Sequence, residues 1–214
     1  SYDNFHEKKD SIYRLVTDRY SPDGGYDYTD AGQPLPLAAQ LVSDFPEIET
    51  ATRVSKAERY LRKDGNVQEA KVLFVDSSFF QTFSFPFLIG NERTAMEFSK
   101  SIVVTEDLAK RYFQSIDVVG KTLEIRHEEV FTTYQITGVV AHISSNSTFQ
   151  FDVAMNYDQT SYYGWANDSW GVRIDEIYLS LGNNVSVPAL NDKLKDHWKK
   201  YLTNAVEESK SYKG

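Results

Sequence analysis

The side chains able to do chemistry are few in this sequence and poorly spaced for one another. Its four histidines, His6, His127, His142 and His197, include no pair at the i, i+4 interval that lets two imidazoles on one helix face hold a metal. His127 adjoins Glu128 and Glu129 and could in principle bind a cation, but the three fall between two strand-like runs, where a solvated hairpin tip is expected. There is no cysteine, so thiolate ligands, thiol nucleophiles and disulfides are all excluded. No Gly-x-Ser-x-Gly elbow occurs, and Gly24-Gly25 leads into Tyr26-Asp27 instead of the Gly-Lys-Ser/Thr of a phosphate loop. The carboxylate pairs Glu128-Glu129 and Glu207-Glu208 are sequence neighbours that read as solvent-facing. Acids brought together only by folding stay open as a hydrolase site. No catalytic residue, metal ligand or cofactor is assigned, and any ATP hydrolysis is expected on a separate domain or subunit.

Two aromatic-rich loops offer binding in place of catalysis: residues 20–28 (YSPDGGYDY) and 157–170 (YDQTSYYGWANDSW). Tyr and Trp set among Gly, Asn and Asp combine flat apolar faces with polar tips, which suits a sugar, a peptide or another subunit. Tyr26, Tyr28, Tyr162, Tyr163 and Trp165 are the candidate partner or ligand contacts. The plainer reading, that these rings plug the ends of the sheets as satellite core, is favoured.

Bulk composition narrows the partners. The 214 residues are enough for a sizeable core, as one domain or two small lobes. A hydrophobic fraction of 41% with 25% charged residues is that of a folded globular chain. A net charge of −8 argues against nucleic acid and against an anionic membrane surface. The longest apolar runs, such as 83–89, fall far short of the ~20 residues of a membrane helix, and no signal peptide is visible. The sequence begins at Ser1, without Met, directly in a helical pattern, which reads as a part excised from a longer chain. The triplets at Asn146, Asn167 and Asn184 match glycosylation acceptors and are discounted as chance.

The elements that must position these residues follow from periodicity and punctuation. Residues 2–10 read as a short amphipathic helix and 12–20 as a strand, while 21–36, with three Gly and three Pro, reads as a loop. Leu37, Leu41 and Phe45 mark a helix over 35–45 that Pro46 stops. Strands over 49–62 and 67–75 flank Lys63-Asp64-Gly65-Asn66, a strong hairpin signal. Thr105 is a plausible N-cap for a helix with Glu106 and Asp107 at its positive end and Lys110 and Arg111 towards its negative end. Gly120 permits a turn into paired strands over 122–126 and 130–140. Strands over 149–156 and 170–181 follow, the second with a phase shift at Asp175-Glu176 that fits a bulge. Ser186 caps a last helix with Leu190, Leu194, Trp198, Tyr201 and Leu202 on one face, and 203–214 is polar. Without regular βαβα alternation, an α+β fold with mostly antiparallel pairing is expected.

Four stretches, in order, carry a family resemblance. YDNFHEKKDSIYRL at the start, PLAAQLVSDFPEIETATRV over 36–54, the block from Phe74 to Leu123 (FVDSSFFQTFSFPFLIGN, SIVVTEDLAKRYF, DVVGKTL) and YQITGVVAHISSNSTFQFDVAMNY over 134–157 resemble the periplasmic core domain of MacB-type, FtsX-like ABC transporter permeases, members from Bacteroidetes-like bacteria above all. The resemblance implies two lobes: a porter-like α/β lobe from both chain ends, 1–51 and 144–214, and an inserted strand-rich lobe, 52–143. It further implies a periplasmic domain of a bacterial inner-membrane protein, coupling ATP-driven motion of membrane helices to a substrate or partner in efflux or extrusion. The implied partners are a cytoplasmic ABC ATPase, a second permease copy, and a periplasmic adaptor or outer-membrane protein. The alternative reading is a stand-alone periplasmic glycan- or peptide-binding module using the Tyr/Trp loops.

Overall fold

The computed structural model describes residues 11–198, so the helix expected over 2–10, His6, Tyr201, Leu202, Glu207-Glu208 and the polar end lie outside the described residues. Within these limits the chain forms two compact units, one of residues 54–163 and one of 11–53 with 164–198. Strand β5 (Ile48–Lys63) contributes its first residues to the second unit and the rest to the first.

The first unit is built on β strands. β5 returns through Asp64-Gly65 into β6 (Asn66–Val75) with Lys63 opposite Asn66. Both turn residues have positive φ, 51° and 81°, as the tight turn matching the twist of the strands requires. The chain then passes through α2 (Phe79–Thr82), β7 (Phe87–Ile89), β8 (Ser101–Thr105) and α3 (Glu106–Phe113). After these come β9 (Thr122–His127), β10 (Val130–Val140) and β11 (Val153–Asn156). The strand order runs β5-β6-β11-β8-β10-β7. β9 pairs with β10 on one side and, through Leu61 opposite Ile125 and Arg62 opposite Glu124, with β5 on the other. Six strands thus close into a small barrel, which removes the open edges that a flat sheet would leave. β8 and β11, in its middle, are buried along their whole length, which explains their unbroken apolar runs.

Two of these pairings, β6 with β11 and β8 with β10, are parallel, so the sheet is mixed, although antiparallel pairs are the more numerous among those described. Thr105 caps α3 by accepting a hydrogen bond from the Leu108 amide at 3.3 Å, and Gln114 ends it in the left-handed conformation. The strand expected over 149–156 starts only at Val153. Phe149 and Phe151 instead join an aromatic cluster in which Phe79 packs against Phe80, Phe83, Phe85 and Phe149 at centroid distances of 5.0–5.6 Å.

The barrel seam carries its own fastening. Arg62 donates two hydrogen bonds of 2.8 Å to the Glu124 carboxylate and stacks over the Phe131 ring at 4.1 Å. The hydrogen bonds from Arg62 hold the Glu124 carboxyl below its usual value. A group whose folded value is depressed stabilises the fold above its ordinary value and loses that contribution as pH falls through the folded one. The stability of the chain, read from urea midpoints, should therefore fall more steeply between about pH 5 and pH 3 than that of Glu124→Gln. Parallel pH profiles would show that the seam pair adds nothing.

The second unit packs helices on strands. β1 (Ile12–Arg14) pairs with β12 (Arg173–Leu181), which is followed by the start of β5, and β4 (Gln33–Pro34) adds to β12. α1 (Leu37–Asp44) and α5 (187–198 as described) supply the apolar partners. Leu37, Leu41, Phe45 and Leu190 join Ile48, Ile177, Leu179 and Leu181 in one buried cluster. Ser186 caps α5 through the Ala189 amide at 3.4 Å. The register shift on β12 falls between Arg173 and Asp175, one step ahead of the expected position.

Two readings need correction here. The strand expected over 12–20 is broken at Leu15-Val16 into β1 and β2 (Thr17–Tyr20). The segment 21–36 is not loop throughout: β3 (Tyr26–Asp30) pairs with β2 as a separate two-stranded ribbon, and β4 follows. Pro22, Gly24 and Gly25 make the turn instead, with Pro22 at the second position and a Gly24 N–H to Ser21 O bond of 2.9 Å.

Candidate functional site

The sequence-derived aromatic residues separate by burial. Tyr26 and Tyr28 stand on β3 with 61% and 52% exposure, and Tyr20 on β2, opposite Tyr26, is 63% exposed. Trp165, on the single turn α4 (Tyr163–Ala166), is also exposed, at 64%. Tyr162 and Tyr163 behave differently: both are half-buried and meet the buried Tyr157 ring edge-on, and the Tyr162 hydroxyl donates to Ser55 Oγ at 2.8 Å. These two rings are packing groups of the first unit, whereas the ribbon tyrosines present themselves to solvent.

The ribbon is held by a part-buried polar network. Arg19 pairs with Asp30 at 3.3 Å, the other Asp30 oxygen accepts the Gly32 amide at 2.9 Å, and the fully buried Gln33 accepts from Thr17 Oγ1 at 3.2 Å. Gly32 is required by space, since a Cβ there would lie 2.9 Å from the Arg173 carbonyl oxygen. Burial, then the like charge of Arg19, lowers the Arg173 guanidinium from its usual value, and it lies over the Trp198 ring at 5.2 Å. At the ribbon tip the Ser21 hydroxyl and the Gly25 amide hold Asp23 below its usual value, so it is ionised near neutral pH.

Beside the ribbon, and wholly within the second unit, is a cleft of about 340 Å³. One wall is Leu15, Val16, Thr17, Asp18 and Tyr20, and the other is Leu37 and Leu41 from α1 with Asn191, Leu194, Lys195 and Trp198 from α5. Sequence reasoning missed this cleft. Leu194 and Trp198 were legible as one apolar helix face, but nothing in the pattern says that part of that face fronts a strand edge.

Among the described residues there is no group of three or more His, Asp or Glu side chains able to hold a metal. His142 contacts Asp107 at 2.5 Å on the surface, while His127 lies at the tip of β9–β10, where Arg126 pairs with Glu129. No described helix is long and apolar enough to cross a membrane.

Comparison with known proteins places this geometry. The chain matches the family of MacB-like periplasmic core domains over residues 1–197. No curated protein matches it. Among solved structures, a domain of a Porphyromonas gingivalis protein assigned as a permease is similar with a TM-score of 0.77 at 21% identity, over 92% of this chain and 83% of that one. The periplasmic region of MacB from Actinobacillus actinomycetemcomitans gives 0.63 at 13% identity, over 97% and 94%. The extracellular domain of the noncanonic ABC-type transporter YknZ from Gram-positive bacteria gives 0.55 at 8% identity, over 86% and 87%. At these identities the structures speak for the fold, and the family match speaks for membership: the chain belongs to the MacB-like periplasmic core domains of ABC transporter permeases.

Proposed function

We propose that this chain is the periplasmic coupling element of an inner-membrane ABC permease, passing ATP-driven motion of the membrane helices to a periplasmic substrate or partner in efflux. The observation that carries the reading is the family match across residues 1–197, supported by fold similarity over almost the whole chain to the periplasmic region of a MacB. The domain itself performs no hydrolysis in this scheme. A cytoplasmic ATPase supplies the energy, a second permease copy completes the membrane part, and an adaptor or outer-membrane protein receives the motion.

The flanks of the parent gene test the placement. Apolar runs of ~20 residues are expected on both sides of the region encoding Ser1–Gly214. In spheroplasts of cells making the full protein, externally added protease should cleave within this region. A secretion signal and a stop codon at the flanks would instead favour a stand-alone binding module.

A further inference from the structure

We infer that the cleft between β2, α1 and α5 is a strand-addition site for an extended segment of a partner protein, with apolar residues at alternate positions and Lys or Arg beside them. This deepens the proposed role in naming the kind of partner segment the domain engages.

Three observations converge on that occupant. First, β2 and β3 form a two-stranded sheet of their own, so among the described residues the outer edge of β2 carries no ladder. Such an edge presents N–H and C=O groups ready to pair with another chain. Second, the cleft wall takes Thr17, Asp18 and Tyr20 from β2 and Leu15 and Val16 from the break before it. Thr17 and Asp18 are neighbours of opposite side-chain parity, so β2 meets the cleft along its edge and not by one face. The Leu15 amide already donates to Ile177 O, so the open edge starts beyond Leu15. The facing Leu41, Leu194 and Trp198 are apolar and suit the alternate side chains of an added strand. Third, Asp18 lines the cleft, where Lys195, the one cation among the described lining residues, is paired with Asp192. The ribbon adds Asp23 and Asp27 beyond the Arg19–Asp30 pair, an acidic excess that complements basic residues flanking the inserted segment.

The probe is a fluorescein-labelled synthetic peptide, Lys-Leu-Thr-Leu-Thr-Leu-Lys, titrated with the 214-residue chain by fluorescence anisotropy. Saturable binding is expected. N-methylation of alternate backbone amides should weaken it about tenfold or more by removing the edge hydrogen bonds. Val16→Asp should do the same by placing a charge in the cleft, and Asp18→Lys should weaken the peptide yet spare a version flanked by Glu. Val16 and Asp18 are both exposed, so these variants should keep the parent circular dichroism spectrum and urea midpoint. No binding of the peptide would overturn the inference. So would equal affinity for the N-methylated peptide, which marks a general apolar site, or an affinity unchanged by Val16→Asp. None of these results bears on the flanking membrane segments or on the protease test, so the proposed coupling role stands or falls separately.

Discussion

Phe79→Ala should lower the stability of the chain by about 3–5 kcal/mol, the largest effect expected of any single truncation in the first unit. Phe79 is fully buried and touches four other phenylalanine rings, stacked on Phe85 and edge-on or tilted to Phe80, Phe83 and Phe149. Removing the ring takes away its transfer free energy and leaves a cavity that rings fixed from several directions are slow to fill. Phe98→Ala is the control, because Phe98 is 66% exposed and its truncation should change stability by no more than about 0.5 kcal/mol. Urea unfolding followed by tryptophan fluorescence and circular dichroism measures both. A Phe79→Ala loss below about 1 kcal/mol would mean that the cluster is not packed as described.

Gly90→Ala should come next, at about 3 kcal/mol or more, because strain and collision act together. Gly90 has φ of 94°, and a Cβ there would lie 2.6 Å from the Thr137 carbonyl oxygen and 2.9 Å from the Gly138 Cα. Both obstacles are backbone atoms of β10, which cannot rotate away as a side chain could. Gly65→Ala separates the two effects. Gly65 has φ of 81°, with nothing within 4 Å of a Cβ, so only the conformational penalty of about 1–2 kcal/mol applies. The difference between the two variants isolates the close approach of the chain at Gly90 to β10. Equal losses would remove that approach from the fold.

Much of this architecture was legible wherever local chemistry decides structure. Asp64-Gly65 specified the hairpin because few residue pairs tolerate two positive φ values in succession. Thr105 with Glu106 and Asp107 marked the start of α3 through its cap and helix dipole. Legibility failed where a distant partner decides. Phe149 and Phe151 have strand-like spacing, yet the phenylalanines around α2 draw them into the aromatic cluster, and the strand starts late. The ribbon strand β3 was hidden by the Gly and Pro residues around it, and the parallel pairings of β6 with β11 and β8 with β10 leave no trace in alternation. The exposed tyrosines were visible as candidates. The cleft beside them was not, because its walls come from segments at opposite ends of the sequence.

The central proposal is that ATP-driven motion reaches this domain, and the full-length protein reconstituted in lipid nanodiscs with the ATPase proposed to drive it tests this directly. The chain has no cysteine, so a nitroxide on Val130→Cys or, in a separate sample, on Ile174→Cys is unique within it. Both positions are exposed, one in each unit. If the permease pairs as proposed, double electron–electron resonance between its two copies should give one distance distribution without nucleotide and a displaced one after trapping with ATP and vanadate. Distributions that coincide for both labels while the ATPase is shown to cycle would contradict the coupling role.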